Sequence, residues 1–108
     1  MKKRGFEVVT NYKESNLNLP ERKTGGSAGY DFEAAEDMII ESGKVGFVST
    51  GIKAYMLEDE VLQMYPRSSL GFKKKLILMN SVGIIDSDYY SNPDNEGEIK
   101  ISLYNIGT

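Results

Sequence analysis

The chain has 108 residues, a net charge of −3, 40% hydrophobic and 27% charged side chains, which is the composition of one small globular domain. It has neither cysteine nor histidine, which excludes disulfides, Ser-His-Asp or Cys-His nucleophiles, and zinc sites with nitrogen or sulfur ligands. The acidic balance argues against a nucleic-acid partner, and the apolar runs are too short to span a membrane. Because no apolar stretch follows the basic residues 2–4, we expect a cytoplasmic protein without a secretory signal.

Short strands separated by turn residues are predicted along the chain. The β-branched or aromatic segments bounded by Gly, Asn, Asp or Pro are 5–10, 44–49, 51–56 and 60–65. Residues 11–29 are polar and contain a proline and several glycines, which predicts a long loop. In the last strand, Ile99, Ile101 and Leu103 alternate with Lys100, Ser102 and Tyr104. No window of twelve residues has a helical period, so the predicted fold class is all-β, either a barrel or a jelly roll.

The first segment that can carry chemistry surrounds Asp31, within the sequence Ala-Gly-Tyr-Asp-Phe-Glu-Ala. Magnesium usually keeps several waters and takes few direct protein ligands, so a single carboxylate of this kind can hold a hydrated ion. An aspartate at the start of a strand is also a common turn-former or solvated acid. The segment alone leaves both interpretations open.

The second segment follows the strand over residues 60–65 and begins with Pro66, which ends the strand ladder. Ser68 and Ser69 favour a turn with free backbone N–H groups, and Arg67 adds a guanidinium. Backbone donors, hydroxyls and an arginine together can bind phosphate. The alternative is an exposed turn followed by the solvated lysines of residues 73–75.

The third segment is an apolar strand that ends at Asp86. A carboxylate fixed there can act as a general base toward water, and Arg67 is a candidate charge partner for it. Gly83 would allow close approach of a ligand to the backbone, and Tyr89 offers a flat face for a sugar or a base. The alternative is that Asp86 and Asp88 are ordinary turn residues opening a hairpin.

Taken together and in this order, the three segments resemble the first three of five motifs of the trimeric dUTP pyrophosphatase (dUTPase) family. The resemblance covers about residues 19–107, and the matching motifs are AGYD at 28–31, PRSSLG at 66–71 and GIIDSDY at 83–89. It implies a jelly-roll-like β-barrel that forms a homotrimer with active sites between subunits. It also implies hydrolysis of dUTP to dUMP and pyrophosphate with Mg²⁺ as the cofactor.

The resemblance further implies a role for each matching residue. Asp86 would activate the water that attacks the α-phosphorus, and Asp31 would contact Mg²⁺ through water. Tyr89 would pack under the deoxyribose and leave no room for a 2′-hydroxyl. Uracil would be bound by Asn80 and by the backbone around Gly83, Ile84, Ile85 and Lys100. The phosphates would be bound by Arg67, Ser68 and Ser69.

Three departures from the family pattern stand out. Ser91 occupies a position where the third motif usually has glycine, and residues 92–96 resemble an insertion before Gly97. The fourth motif, an arginine followed shortly by glutamine, and the glycine-rich fifth motif do not occur in the 108 residues. We therefore expect residues 1–108 to form a single dUTPase-like domain, the larger part of the enzyme, with little turnover from a chain ending at Thr108.

Two other functions remain open at the level of sequence. A dCTP deaminase-like enzyme would share the architecture and the Arg-Ser-Ser turn, but it would need further arginines where Phe72 and the lysines of residues 73–75 stand here. A non-catalytic regulatory protein of the same fold would bind dUTP without hydrolysing it. Ammonia release from dCTP and turnover of bound dUTP distinguish these functions from a dUTPase.

Overall fold

The computed structural model describes residues 3–107, which fold almost entirely into short strands and loops. The strands are β1 (Gly5–Val8), β2 (Val45–Ser49), β3 (Ile52–Tyr55), β4 (Val61–Met64), β5 (Leu76–Leu78), β6 (Gly83–Asp86) and β7 (Lys100–Asn105). One short helix, α1 (Ser68–Phe72), and 3-10 turns at Thr10–Tyr12 and Ser87–Tyr89 complete the elements. The predicted all-β class is confirmed, and each predicted strand contains or overlaps an observed one. With a longest α-helix of five residues, this part of the chain holds no membrane-spanning helix.

The strands pair antiparallel in three small sheets with the orders β1-β3, β2-β7-β5 and β4-β6. In the largest sheet, Val45 is opposite Tyr104 and Leu78 is opposite Leu103, so β7 is the central strand. In the β4–β6 ribbon, Met64 is opposite Gly83. Most neighbouring strands are therefore far apart in the sequence, and loops connect the sheets around a shared core.

The core is centred on Ile99, whose side chain has no exposed surface. Its backbone N–H donates to the Ile52 carbonyl (2.9 Å), and its own carbonyl accepts from the Thr50 hydroxyl at 2.6 Å. Leu103 is also buried, whereas Lys100 is exposed, so the alternation predicted for the last strand is confirmed. The same alternation brings one face of β7 into the core, and the hydrogen bonds of Ile99 join the start of this strand to Thr50 and Ile52.

The outer face of the β2-β7-β5 sheet exposes large apolar side chains. Phe47 is 67% exposed, and Val45, Ile77 and Met79 are exposed as well. The registers place Tyr104 of β7 between Val45 and Ile77, so the apolar side chains form a continuous strip across the sheet. An apolar strip of this extent is typical of a protein–protein contact surface.

Candidate active site

A cavity of about 770 Å³ lies between the Asp31 segment and the end of β4. Its lining includes the polar residues Asp31, Arg67 and Ser69. The apolar residues Leu78 and Leu103 line it as well. Asp31 is half-buried, and its backbone N–H donates to the Glu21 carbonyl (3.0 Å), an isolated bridge rather than the start of a longer strand. The first two candidate segments are thus brought to one site.

The turn predicted after Pro66 is in fact one turn of helix. Arg67 is extended (φ −71°, ψ 150°) and precedes α1, and its carbonyl accepts from the Leu70 N–H at 2.9 Å. The first amides of a helix have no intrahelical acceptor, so those of Ser68 and Ser69 point outward as donors. The segment therefore still presents the backbone N–H donors that the sequence predicts, although its backbone is helical where a turn was predicted.

The third candidate segment forms a hairpin arm in which β6 ends at Asp86, as the sequence predicts. Gly83 lies close to β4, because a Cβ at this position would be 3.1 Å from the Met64 Cβ. The same position is 3.9 Å from the Asn80 Nδ2, so Asn80 and Gly83 are neighbours. Met79 N–H donates to the Ser102 carbonyl (3.1 Å), which continues the β5–β7 pairing and brings Asn80 toward the Lys100 end of β7.

Asp86 and the neighbouring candidate residues Gly83 and Ile85 lie on different faces of the β4–β6 ribbon. Directly opposed residues of an antiparallel pair share a face, and successive residues alternate between faces. Leu62 pairs with Ile85 on the half-buried face, and Leu62 lines the cavity. Val61 pairs with Asp86, and both are exposed on the other face. Asp86 is not among the residues that line the cavity, and its face is opposite to that of Leu62.

Arg67 and Asp86 are also separated along the ribbon. Asp86 is opposite Val61 at the first residue of β4, whereas Arg67 comes three residues after Met64, the last residue of that strand. Four strand residues extend about 10 Å at the usual rise. Within residues 3–107, Arg67 and Asp86 form no ion pair, so the charge pairing expected from the sequence does not occur within one chain.

Tyr89 is held at three points by the loop that follows it. Its hydroxyl donates to the Glu98 carbonyl (2.8 Å) and accepts from the Asn95 Nδ2 (2.8 Å), while its own carbonyl accepts from the Asn92 Nδ2 at 2.7 Å. Asn92 and Asn95 lie in the segment that the sequence indicates as an insertion. Their contacts with Tyr89 were not predicted, because an Asn-rich turn carries no signal of its partners.

Glu96, in the same segment, ties this loop to the body of the protein. Its carboxylate accepts from the Lys53 Nζ (2.9 Å) and from the backbone N–H and hydroxyl of Thr10, each at 3.0 Å. The hydrogen bond with Lys53 lowers the pKa of Glu96 below its ordinary value and raises the pKa of Lys53. Lys53 also lies 5.0 Å from the ring centre of Tyr90, which packs beside it. These contacts join β3, the segment after β1 and the loop of residues 92–96.

The turn that closes this loop has left-handed backbone at Ser91, Glu96 and Gly97. Ser91 has φ 54° and Gly97 has φ 86°. The first value explains why glycine would suit position 91, although the Ser91 hydroxyl is used here as an acceptor for the Lys53 Nζ (2.9 Å). At Gly97 a side chain has no room, since a Cβ would lie 2.6 Å from the Tyr89 carbonyl oxygen and 2.8 Å from the Ser91 nitrogen.

We therefore expect Gly97→Ala to lower the free energy of unfolding by about 2 kcal/mol or more, through left-handed strain and the clash with backbone. Gly25→Ala is the matched control, because a Cβ there meets nothing within 4 Å and the backbone is not left-handed. Urea unfolding of both variants measures the difference. Equal stability of the two variants would show that the turn at Gly97 relaxes freely.

The fold and the cavity define a small all-β protein with Asp31, Arg67 and Ser69 at one site. The dUTPase family model matches residues 15–108. The deoxyuridine 5′-triphosphate nucleotidohydrolase of Lactococcus lactis subsp. lactis is 56% identical over 98% of this chain and 71% of its own length. The crystal structure of the dUTPase from Streptococcus mutans has 50% sequence identity and a TM-score of 0.90, covering 95% of this chain and 80% of that one.

The chain belongs to the dUTPase family, and it is a dUTP nucleotidohydrolase. A more distant solved structure, the dUTPase of Staphylococcus bacteriophage 80alpha, shares 20% identity and a TM-score of 0.75 and covers 100% of this chain and 57% of that one. That enzyme was crystallised with dUpNHpp, so a homologue of the same fold binds a dUTP analogue. The family predicted from three motifs is confirmed, and the deaminase and non-catalytic alternatives are not supported.

Proposed function

We propose that each dUTP-hydrolysing site is assembled from two chains. The hairpin of one chain supplies Asp86, and the cavity of another supplies Asp31 and Arg67. The observation that supports this proposal is that Asp86 lies outside the lining of the cavity and, within residues 3–107, forms no ion pair with Arg67. A base that acts at the α-phosphorus must lie next to groups that bind the phosphates, and a second copy of the chain can provide those groups.

In this site Asp86 is the general base. It accepts a proton from water as the water oxygen bonds to the α-phosphorus in line with the α–β bridging oxygen. The bond from the α-phosphorus to that oxygen breaks, and its electron pair leaves with pyrophosphate, so the second product is dUMP. Asp86 is exposed at the end of a paired strand, which leaves its carboxylate accessible to water while its backbone stays fixed.

The residues of the hairpin group, which are Asn80, Gly83 to Ile85, Tyr89 and Lys100, bind the nucleoside. Asn80 lies beside Gly83, where the missing side chain lets a planar base approach the backbone. Backbone groups of Gly83, Ile84, Ile85 and Lys100 complete the hydrogen bonds to uracil. Tyr89, held by its hydroxyl and its carbonyl, packs under the deoxyribose and excludes a 2′-hydroxyl.

The residues of the cavity group, which are Asp31, Arg67, Ser68 and Ser69, bind the triphosphate and its metal ion. Arg67 offers a guanidinium, and Ser68 and Ser69 offer hydroxyls and helix-start amides, all of them donors to phosphate oxygens. In residues 3–107 no cluster of three or more acidic side chains is arranged to hold a metal, and the acidic residues that line the cavity are Asp31 and Glu33. This donor set fits Mg²⁺ bound mainly by phosphates and water, with Asp31 contacting the water. Bound in that way, Mg²⁺ offsets the negative charge of the triphosphate.

The assembly that would place these groups together is a homotrimer, in which each hairpin meets the cavity of the next chain. The exposed strip of Val45, Phe47, Tyr104, Ile77 and Met79 supports a large contact between copies. A closed ring gives every chain the same two contacts, one through its hairpin and one through its cavity. The single dUTPase-like domain over residues 1–108 and the cytoplasmic location remain predictions.

Mixing two inactive variants tests the composite site. We expect Asp86→Asn and Arg67→Ala to be nearly inactive alone, and their equimolar mixture, refolded together, to regain about one quarter of the parent sites, as random assembly of a closed ring requires. Pyrophosphate release from dUTP with Mg²⁺ is the measurement. The matched control is a mixture of Asp86→Asn with the Asp86→Asn/Arg67→Ala double variant, which contains no intact base and stays inactive.

A mixture no more active than its separate components would contradict the composite site, because intact Asp86 and intact Arg67 would then be needed in the same chain. Parallel assays with dTTP, UTP and dCTP determine substrate choice. Turnover confined to dUTP fits the nucleoside-binding roles given to the hairpin group. Equal turnover of UTP would contradict the role of Tyr89 and leave the composite site unaffected.

A further inference from the structure

We propose that Asn95, in the loop after the third motif, is a positioning residue that sets the preference of the enzyme for deoxyribose over ribose. The inference rests on the proposed function, because it acts through Tyr89 as the residue under the sugar. Asn95 would not touch the nucleotide itself. It would fix the ring that does.

The first step of the argument is the hydroxyl of Tyr89. This hydroxyl donates to the Glu98 carbonyl and accepts from the Asn95 Nδ2, each at 2.8 Å. Its proton and one lone pair are therefore both used. With two partners in different directions, the ring cannot tilt without breaking a hydrogen bond. The Glu98 bond alone would leave the ring free to pivot about a single contact.

The second step is the rigidity of Asn95 itself. Its Oδ1 accepts from the Gly97 N–H (3.0 Å), and its backbone N–H donates to the Asn92 Oδ1 at 3.1 Å. The carbonyl of Asn95 accepts from the Glu98 N–H (3.1 Å). Every polar group of Asn95 is thus engaged, so its amide is presented to Tyr89 in one orientation.

The third step is the attachment of the loop to the rest of the protein. Glu96 follows Asn95 directly and is bound to Lys53 and Thr10. Lys53 is a nearly buried side chain, 11% exposed, on a central part of β3. Asn95 is therefore held at a fixed position relative to β3 and does not move with a free loop. A tyrosine fixed in this way can exclude a group as small as one hydroxyl, whereas a mobile ring would yield to it.

The experiment measures dissociation constants for α,β-imido-dUTP and α,β-imido-UTP, which bind without being hydrolysed. We expect Asn95→Ala to reduce the preference for the deoxyribose analogue by about tenfold, the effect of losing one hydrogen bond of ordinary strength. In the Tyr89→Phe background, which lacks the hydroxyl, Asn95→Ala should cause no further loss of preference. Asp94→Ala, one residue earlier in the same loop, is the matched control and should keep the parent preference.

The outcomes separate this inference from the proposed function. If Tyr89→Ala lowers the preference but Asn95→Ala weakens both analogues equally, the loop is merely structural and the inference is overturned. The inference is overturned as well if Asn95→Ala lowers the preference to the same extent with Phe at position 89. If Tyr89→Ala leaves the preference unchanged, the sugar-binding role of Tyr89 itself fails, and the inference fails with it.

Discussion

Replacement of Asp86 by asparagine should reduce kcat for dUTP about a thousandfold, the range in which general bases contribute, with binding of dUTP nearly unchanged. Asparagine has the same shape and can still accept a hydrogen bond from water, but it cannot take the proton. The position of Asp86, exposed at the end of β6 and paired only through its backbone with β4, gives the substitution little structural effect. Pyrophosphate release and equilibrium binding of α,β-imido-dUTP measure the two quantities.

Asp88→Asn is the matched control for this prediction. Asp88 lies two residues further along, in the 3-10 turn Ser87–Tyr89, and is exposed as well. It loses the same charge, so a general electrostatic effect on the triphosphate would appear in both variants. We expect its kcat to stay within about twofold of the parent value, since it removes no interaction specific to the transition state. Parent-like kcat in Asp86→Asn would exclude Asp86 as the base.

The second large effect concerns stability. Ile99→Ala should lower the free energy of unfolding by about 3–4 kcal/mol, because it removes a fully buried side chain and leaves a cavity in the core. For a domain of this size that corresponds to a melting temperature roughly 15 °C lower. Thermal unfolding followed by circular dichroism measures the change. All variants should be compared at one protein concentration, because assembly adds to apparent stability.

Ile39→Ala is the control with the same side chain removed. Ile39 is 90% exposed, so its truncation should change the free energy of unfolding by less than about 0.5 kcal/mol. A large effect at Ile39 would mean that this side chain is covered by another copy of the chain. A small effect at Ile99 would mean that the core collapses around the smaller residue without a cavity.

The local pattern of the sequence predicts most strands because burial on one face leaves a period of two. The segment 51–56 contains β3, whose residues alternate between buried and half-buried, and the segment 60–65 contains β4. Predicted ends extend one or two residues too far, since Pro66 and Gly51 mark turns only approximately. Helix α1 was predicted as a turn, because five residues are too few to show a helical period.

The site was only partly predictable. The three motifs supplied the candidate residues, whose roles remain predictions, and the apolar run ending at Asp86 indicated a strand that the structure contains. Which residue of β4 lies opposite Asp86 depends on the register of β4 against β6, which no local pattern specifies. The contacts of Glu96 with Lys53 and Thr10 join three segments far apart in the sequence, and such pairs leave no mark on composition or spacing.

The central position of β7 bears on how the chain folds as it is synthesised. Val45 of β2 pairs with Tyr104 of β7, more than half the chain later. Until that late strand leaves the ribosome, β2 has an open edge and Ile99 cannot fill the core. Pairing between such distant segments slows folding and prolongs exposure of apolar strands. The core is therefore expected to form only after β7 has been synthesised, and a nascent chain that stalls before β7 should be a substrate for chaperones.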